Sequence, residues 1–156
     1  MSDNLAILLF GSNIDPARNI DKALKLLCRS SRIRNRSNVW VTEAVGSNGP
    51  DFLNLAVEIE TSLNTSQLKK EIINPIESEL KRIRTDDKYA PRTIDIDIIV
   101  FNGEVMDFNI WKRLFIALPV SEIIPDLINK STNESLPEIV AKLKSSEHAE
   151  LFKDSV

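Results

Sequence analysis

The hydrophobic positions at the start of the chain fall into two patterns with different periods. Residues 5–10 form a continuous apolar run that Gly11-Ser12-Asn13 ends, and such a run is typical of a buried strand. Apolar residues then recur at helical spacing from Ile20 to Leu27. The preceding Asp15-Pro16 pair predicts the N-cap and the first turn of that helix. The chain therefore opens with a strand followed by a helix.

Two further strands are predicted in the next forty residues. Residues 38–42 place Val39 and Val41 on one face, and residues 52–60 alternate apolar and other side chains over a longer run. The intervening residues 46–50 are rich in glycine, serine and proline, which indicates a turn. The loop is short enough for a hairpin.

A second helix is predicted to begin at Thr65, which we expect to cap it. Its apolar positions are Leu68, Ile72, Ile76 and Leu80. Pro75 lies inside this pattern and should kink the helix or loosen it locally. Near the end of the chain, Ser135-x-x-Glu138 is a capping-box pattern that predicts a C-terminal helix.

The last predicted strand carries the most informative polar residues. Ile94, Ile96, Ile98 and Val100 fall on one face at period two, which places Asp95 and Asp97 together on the other. The element order is then strand, helix, strand, strand, helix, strand. This is the ferredoxin-like βαββαβ arrangement of the α+β class, a mostly antiparallel sheet with helices on one face, plus a C-terminal helix. We expect the other face to hold a ligand cleft.

Composition narrows the class of protein. The 156 residues suit one domain spanning residues 1–156, with 42% hydrophobic and 28% charged residues. The net charge of -3 gives no general attraction to nucleic acid. A single cysteine excludes an internal disulfide, and the sequence has neither a signal-peptide pattern nor an apolar run of about 20 residues. We therefore predict a cytoplasmic protein that binds neither nucleic acid nor membranes.

The paired aspartates indicate a metal site. Two neighbouring carboxylates repel each other, and a divalent cation with a preference for oxygen ligands, such as Mg²⁺, relieves that repulsion. Arg92 enters the same region from just before the strand. Two acids and an arginine at one strand end predict a site for Mg²⁺ and a polyphosphate.

Several short motifs, in this order and at this spacing, resemble the hydroxymethyl-dihydropterin pyrophosphokinase (HPPK) family. They are Gly11-Ser12-Asn13, Thr42 leading to Gly46, Phe52-Leu53-Asn54, Glu77 with Arg82-Ile83-Arg84, Pro91-Arg92-Thr93-Ile94-Asp95-Ile96-Asp97, and Arg113 to Pro119 followed by Ile124-Pro125. The resemblance implies transfer of the β,γ-pyrophosphoryl unit of ATP to the hydroxyl group of 6-hydroxymethyl-7,8-dihydropterin. AMP is the other product, and the reaction belongs to folate biosynthesis.

The resemblance also implies a role for individual residues. Asp95 and Asp97 are expected to hold two Mg²⁺ ions, and with Arg82 and Arg92 they form the expected catalytic set. ATP, as co-substrate, is expected to meet Glu77, Arg82, Arg84, Arg92, Ile98 and Arg113. The pterin is expected to stack between Phe52 and Phe115, to be read at its edge by Asn54, and to border Thr42 and Val45.

One departure from the family pattern keeps alternatives open. The segment between Asn102 and Phe115 is shorter than usual in the family and lacks its Pro-His-aromatic stretch. Part of the nucleotide pocket is therefore expected to be missing or rebuilt, with Lys112 or Arg113 as a candidate source of positive charge. The alternatives are a non-catalytic or altered-acceptor pterin-binding paralogue, and contacts with neighbouring folate-pathway enzymes are a further possibility.

Overall fold

The computed structural model describes residues 4–46, 48–82 and 92–153, and nine strands and five α-helices lie within them. The strands are β1 (Asn4–Ser12), β2 (Arg32–Arg36), β3 (Trp40–Thr42), β4 (Phe52–Thr61), β5 (Asp95–Phe101), β6 (Glu104–Val105), β7 (Ile128–Asn129), β8 (Glu134–Ser135) and β9 (Ala149–Leu151). The α-helices are α1 (Pro16–Cys28), α2 (Thr65–Leu68), α3 (Asn74–Glu79), α4 (Leu114–Ser121) and α5 (Leu136–Leu143).

The main sheet is antiparallel and has the predicted topology. In the described part of the chain its strand order is β6-β5-β1-β4-β3-β9, with β2 also paired to β4. The strand from the first apolar run, β1, is central because both β4 and β5 pair with it along most of its length. The ferredoxin-like α+β prediction is confirmed. A separate two-stranded ribbon, β7 with β8, precedes α5.

The region between α1 and β4 differs from the prediction of one strand over residues 38–42. Its paired strand is shorter, Trp40–Thr42, and the additional strand β2 precedes it. In β2, Arg32 is opposite Glu60 and Ile33 is opposite Ile59. With one apolar residue among five, β2 has no hydrophobic alternation by which it could have been predicted.

Helix α1 begins as predicted, but its cap does not form as expected. Asp15 occupies the N-cap position with a left-handed backbone (φ 41°, ψ 54°), and its side chain makes no capping hydrogen bond. Capping side chains normally reach back from an extended backbone conformation. The Asp15 carboxylate instead lies 3.9 Å from the Arg18 guanidinium.

The second predicted helix is interrupted before Pro75. An α-helical turn, α2, leads into a π-helical segment, Lys69–Ile73, and then into α3. The Asn74 N–H donates to the Lys69 carbonyl, five residues back. The predicted loosening at Pro75 is therefore confirmed. The expected cap was wrong by one residue, since Asn64 caps this helix and forms a capping box with Gln67.

Hydrophobic cores lie on both faces of the sheet. Helices α1 and α3 pack on one face, against Ala6, Leu8 and Phe10 of β1. On the opposite face, α4 and α5 pack against Ile7 and Leu9 of the same strand. The helices of the βαββαβ core thus lie together as predicted, while α4 and α5 leave only part of the opposite face for a cleft. In the described residues, no helix combines the length and apolar content needed to cross a membrane.

A β-bulge in β5, the strand that carries the aspartates, changes the face of the sheet on which its later side chains lie. The pairs Ile7–Val100 and Leu8–Ile98 leave Ile99 as an extra residue in β5. Ile94, Ile96 and Ile98 pack on the first core as predicted, whereas Val100 joins Ile99 in the second core. The prediction that Val100 shares their face was wrong because the bulge breaks the period of two.

Candidate active site

A cleft of about 380 Å³ opens on the second face of the sheet, beside the start of α4. Strands β1, β3, β4 and β5 contribute to its walls, together with the segment that joins β6 to α4. Nine of the predicted site residues line it: Thr42, Val45, Phe52, Asn54, Arg92, Asp95, Asp97, Arg113 and Phe115. The fold therefore brings the whole predicted pterin set and both predicted metal ligands into one cavity.

Asp95 lies between two guanidinium groups. Arg92 Nη1 is 2.9 Å from one carboxylate oxygen and Arg82 Nη2 is 3.2 Å from the other. Gly11 of β1 is directly opposite Asp95 in the sheet. A Cβ atom on Gly11 would lie 3.1 Å from the Asn54 amide nitrogen, so a larger residue there would press on the cleft wall. Glycine at this position leaves room for the Asn54 amide and the Phe52 ring.

Asp97 has a different environment from Asp95. In the described part of the chain, no hydrogen bond or ion pair joins its carboxylate to another group. Its side chain is open to the cleft, while the surrounding protein and the nearby Asp95 and Asp107 carboxylates raise its pKa to about 7. Desolvation is the largest cause, and Arg82 opposes the shift. Among the described residues, Asp97 thus makes no direct ion pair of the kind that Asp95 makes with Arg82 and Arg92.

A buried ion pair between Glu77 and Arg82 contacts the backbone of β5. The Glu77 carboxylate accepts hydrogen bonds from Arg82 Nη1 at 3.1 Å and from the Ile96 N–H at 3.0 Å. The Glu77 and Arg82 side chains are only 5% and 8% exposed. A depression on the far side contains both residues with Lys69, Asn74 and Ser78. Neither residue lines the cleft, although Arg82 reaches Asp95.

The predicted ATP-binding residues are consequently divided. Arg92 and Arg113 line the cleft, while Glu77 and Arg82 lie behind it. Ile98 packs against the first hydrophobic core. Arg84 lies outside the described residues. The predicted roles of these residues in ATP binding stay predictions.

The predicted pterin residues form an amide and aromatic pocket. Asn54 is buried, and its side-chain oxygen accepts a hydrogen bond from the Thr42 hydroxyl on the neighbouring strand. This contact leaves the amide nitrogen beside Gly11. Phe52 comes from β4 and Phe115 from α4, so two separate elements provide aromatic surface. A flat polar heterocycle suits a pocket of this composition.

The sequence analysis did not assign three polar residues of the cleft, Glu43, Asp107 and Asn109, to the site. Asp107 and Asn109 also line it, from the start of a 3₁₀ helix, Phe108–Trp111. The Asp107 carboxylate accepts a hydrogen bond from the Asn109 N–H at 3.0 Å. An aspartate at the N-cap whose carboxylate accepts the N–H two residues later is a common capping pattern. That pattern could have indicated the turn but not its position over the cleft.

Arg113 marks the opposite rim. It occupies the N-cap position of α4, and its Nη1 lies 3.7 Å from Glu147 Oε1. The described residues include no group of three or more histidine, cysteine, aspartate or glutamate side chains that could hold a metal ion. Any metal in the cleft would therefore depend on the aspartate pair together with ligands from water or substrate.

Comparisons with known proteins identify the family of this chain. Residues 7–125 match the family model for 7,8-dihydro-6-hydroxymethylpterin-pyrophosphokinase (HPPK). The 2-amino-4-hydroxy-6-hydroxymethyldihydropteridine pyrophosphokinase of Bacillus subtilis is 34% identical over 143 residues, covering 84% of each chain. The protein of the same name from Methylorubrum extorquens is 36% identical, covering 90% of this chain and 94% of its own.

A solved structure shows the same fold. Wild-type Plasmodium falciparum HPPK-DHPS with SDX-DHP superposes with a TM-score of 0.71 at 17% identity, covering 91% of this chain. The match spans only 44% of that longer protein. At this identity the likeness concerns the fold alone. The family match and the close relatives nevertheless agree, and the chain belongs to the HPPK family.

Proposed function

We propose that this protein transfers the β,γ-pyrophosphoryl unit of ATP to 6-hydroxymethyl-7,8-dihydropterin in folate biosynthesis. The observation that carries the proposal is one cleft that contains both the Asp95–Asp97 pair and the pocket of Phe52, Asn54 and Phe115. The names of its relatives describe the same substrate and reaction type. The pterin hydroxyl oxygen would bond to the β-phosphorus as the bond from that phosphorus to the α-phosphate oxygen breaks, releasing AMP.

Mg²⁺ dependence is part of the proposal. Two adjacent carboxylates that face an open cleft suit a hard divalent cation, which keeps water and phosphate oxygens as its remaining ligands. Burial and the neighbouring Asp95 and Asp107 carboxylates raise the pKa of Asp97 to about 7, and a bound cation would offset that repulsion. We propose that Asp95 and Asp97 hold two Mg²⁺ ions. Bound Mg²⁺ would neutralise phosphate charge and polarise the reacting centre.

The arginines would orient the polyphosphate. A guanidinium group matches phosphate oxygens with two parallel hydrogen bonds, as it matches a carboxylate. Arg92 and Arg82 already bind Asp95, so both groups stand beside the proposed metal site. If a phosphate of ATP replaced the Asp95 carboxylate as their partner, the guanidinium groups of Arg82 and Arg92 would lie against the pyrophosphoryl unit that is transferred. Arg113 would provide a further cation at the other rim.

The pterin pocket would fix the acceptor. Phe52 and Phe115 would cover the ring, and Asn54 would read its edge. The hydrogen bond from Thr42 determines which way the Asn54 amide points, because a hydroxyl donor requires the carbonyl oxygen. Val45 would complete the pocket as an apolar neighbour. Because this hydrogen bond fixes the amide, Asn54 would not have to reorient when the pterin binds.

A second candidate is a paralogue with an altered acceptor or without catalysis. Asp107 and Asn109 favour it, since they place an acidic and an amide group on the cleft wall. The intact set of Asp95, Asp97, Arg82 and Arg92 favours the pyrophosphokinase.

Cytoplasmic localisation and contact with neighbouring folate-pathway enzymes complete the proposal. The fusion of HPPK with DHPS in the Plasmodium protein supports that contact.

The test is AMP release from ATP, measured with and without 6-hydroxymethyl-7,8-dihydropterin over a range of Mg²⁺ concentrations. We expect AMP and pterin diphosphate to form in equal amounts, only when both Mg²⁺ and pterin are present. Asp95→Ala and Asp97→Ala should each lower turnover more than about a hundredfold. Asp126→Asn, at an exposed site outside the cleft, is the matched control.

Two results would reject the proposal. Substantial turnover in both alanine variants would remove the metal assignment. A folded wild-type protein that binds the pterin but releases no AMP would favour the paralogue.

A further inference from the structure

We propose that Glu147 competes with ATP for the Arg113 guanidinium at the cleft rim and thereby lowers the affinity for ATP. The inference rests on the proposed function, because it concerns how Arg113 meets the phosphates. Glu147 does not line the cleft and would act only through Arg113.

Arg113 stands in a wall that separates two cavities. It lines the cleft that contains the aspartate pair, and it also lines a neighbouring cavity of about 510 Å³. Thr42, Val45 and Phe115 belong to the same shared wall. Glu147 lines only the second cavity. The guanidinium can therefore turn toward phosphate in the cleft or toward the carboxylate behind it.

Glu147 is fixed in place by the backbone on both sides. Its N–H donates to the Leu143 carbonyl at 2.9 Å, which ties it to the end of α5. Two residues later, Ala149 begins β9 and pairs with Thr42 of β3. The carboxylate thus comes from a segment attached to the helix on one side and to the pterin wall on the other.

The ion pair is weak enough for phosphate to replace. Its N–O distance is 3.7 Å, and the Arg113 and Glu147 side chains are 46% and 23% exposed. Partly exposed pairs of this kind contribute little and are screened by salt. A phosphate can instead form two short, charge-assisted hydrogen bonds with the same guanidinium. Glu147 therefore competes with ATP for Arg113 without preventing binding.

The variant Glu147→Gln removes the competing charge while keeping the shape of the side chain. We expect the KM for ATP to fall about two- to fivefold, with kcat and the KM for pterin unchanged. ATP binding by calorimetry, with Mg²⁺ present, should tighten by the same factor. The difference from wild type should shrink as the salt concentration rises.

Two comparisons separate this role from a general change in charge. Glu150→Gln alters the same charge in the same segment, but Glu150 pairs with His148 at 3.0 Å rather than with Arg113. It should leave the KM for ATP unchanged. In an Arg113→Gln background, Glu147→Gln should also have no effect, because the group through which it acts is absent.

The outcomes are distinct from those that test the function. If the wild type turns over but Glu147→Gln leaves the KM for ATP unchanged or raises it, the inference is wrong and the function stands. An equal effect in the Arg113→Gln background also overturns it. If the wild type neither turns over nor binds ATP, the proposed function and the inference both fail. Thermal unfolding of each variant confirms that it is folded.

Discussion

Asp95 and Asp97 are two residues apart, yet they differ in charge environment. Asp95 has a guanidinium on each carboxylate oxygen, whereas Asp97 faces other carboxylates and has a raised pKa. The sequence indicated the pair, because alternation along a strand places both on one face. It could not indicate the difference, since Arg82 reaches Asp95 from another element and Asp107 approaches Asp97 through a turn.

Asp97 should make the stability of the metal-free protein depend on pH. A pKa raised from 3.8 to about 7 means that the folded state binds the proton more tightly than the unfolded chain. The stabilisation that this bound proton gives the folded state is fully present below the pKa of Asp97 in the unfolded chain. It is lost as the pH rises through about 7. Because the side chain is open to solvent and screened, we expect a loss of roughly 1–2 kcal/mol.

The variant Asp97→Asn should remove this dependence. Urea unfolding with a chelator, between about pH 4 and pH 8, should show the wild type losing stability relative to the variant. Asp126→Asn should follow the wild type. A constant difference between wild type and Asp97→Asn across the range would contradict the pKa direction.

At the scale of single elements, local signals were reliable only where apolar periodicity or a capping pattern was strong. The α1 helix, β4 and α5 were predicted near their observed positions. The polar strand β2 gave no hydrophobic pattern, and α4 is apolar on every side, so neither could be recognised by period. The bulge in β5 also escaped prediction, because its position depends on pairing with β1.

Capping of the second helix provides a direct test at this scale. Asn64→Ala removes the side-chain acceptor that the Gln67 N–H uses, so we expect the free energy of unfolding to fall by about 1 kcal/mol. Thr65→Ala, at the position that the sequence suggested as the cap, should change it by less than about 0.5 kcal/mol. Denaturant unfolding of the two variants measures both values. Equal losses would mean that the capping box does not determine where the helix begins.

At the scale of the whole molecule, the element order predicted the sheet, while the covering of its second face depended on long-range packing. Helices α4 and α5 occupy that face, and the C-terminal strand β9 adds to the sheet edge beside β3. Sequence order alone does not show that residues near the end of the chain pair with β3, which carries Thr42 of the cleft. The cleft is therefore partly built by segments outside the βαββαβ core.

The docking of β9 should influence the pterin side of the site. Phe152 packs against the first core, and its N–H donates to the Val39 carbonyl at 2.9 Å. We expect Phe152→Ala to lower the free energy of unfolding by roughly 1–2 kcal/mol. It should raise the KM for pterin more than the KM for ATP, because β3 carries Thr42.

Leu151→Ala, at an exposed neighbouring position, is the control for this prediction. This variant should leave the KM for pterin and the KM for ATP near their wild-type values. An equal rise of the two KM values in Phe152→Ala would show that the C-terminal strand supports the fold without a preference for the pterin wall.

The pair of arginines around Asp95 has a consequence for the thermodynamics of ligand binding. The guanidinium groups of Arg82 and Arg92 both bond to the Asp95 carboxylate, so a lone Mg²⁺ must displace guanidinium groups and a lone nucleotide must displace a carboxylate. When both arrive, the cation takes the carboxylate and the phosphates take the arginines, and no charge is left unpaired. Under the proposed function, each ligand should therefore increase the affinity for the other by the same factor. The bracketed aspartate would make the site respond to the metal–nucleotide complex rather than to either component alone.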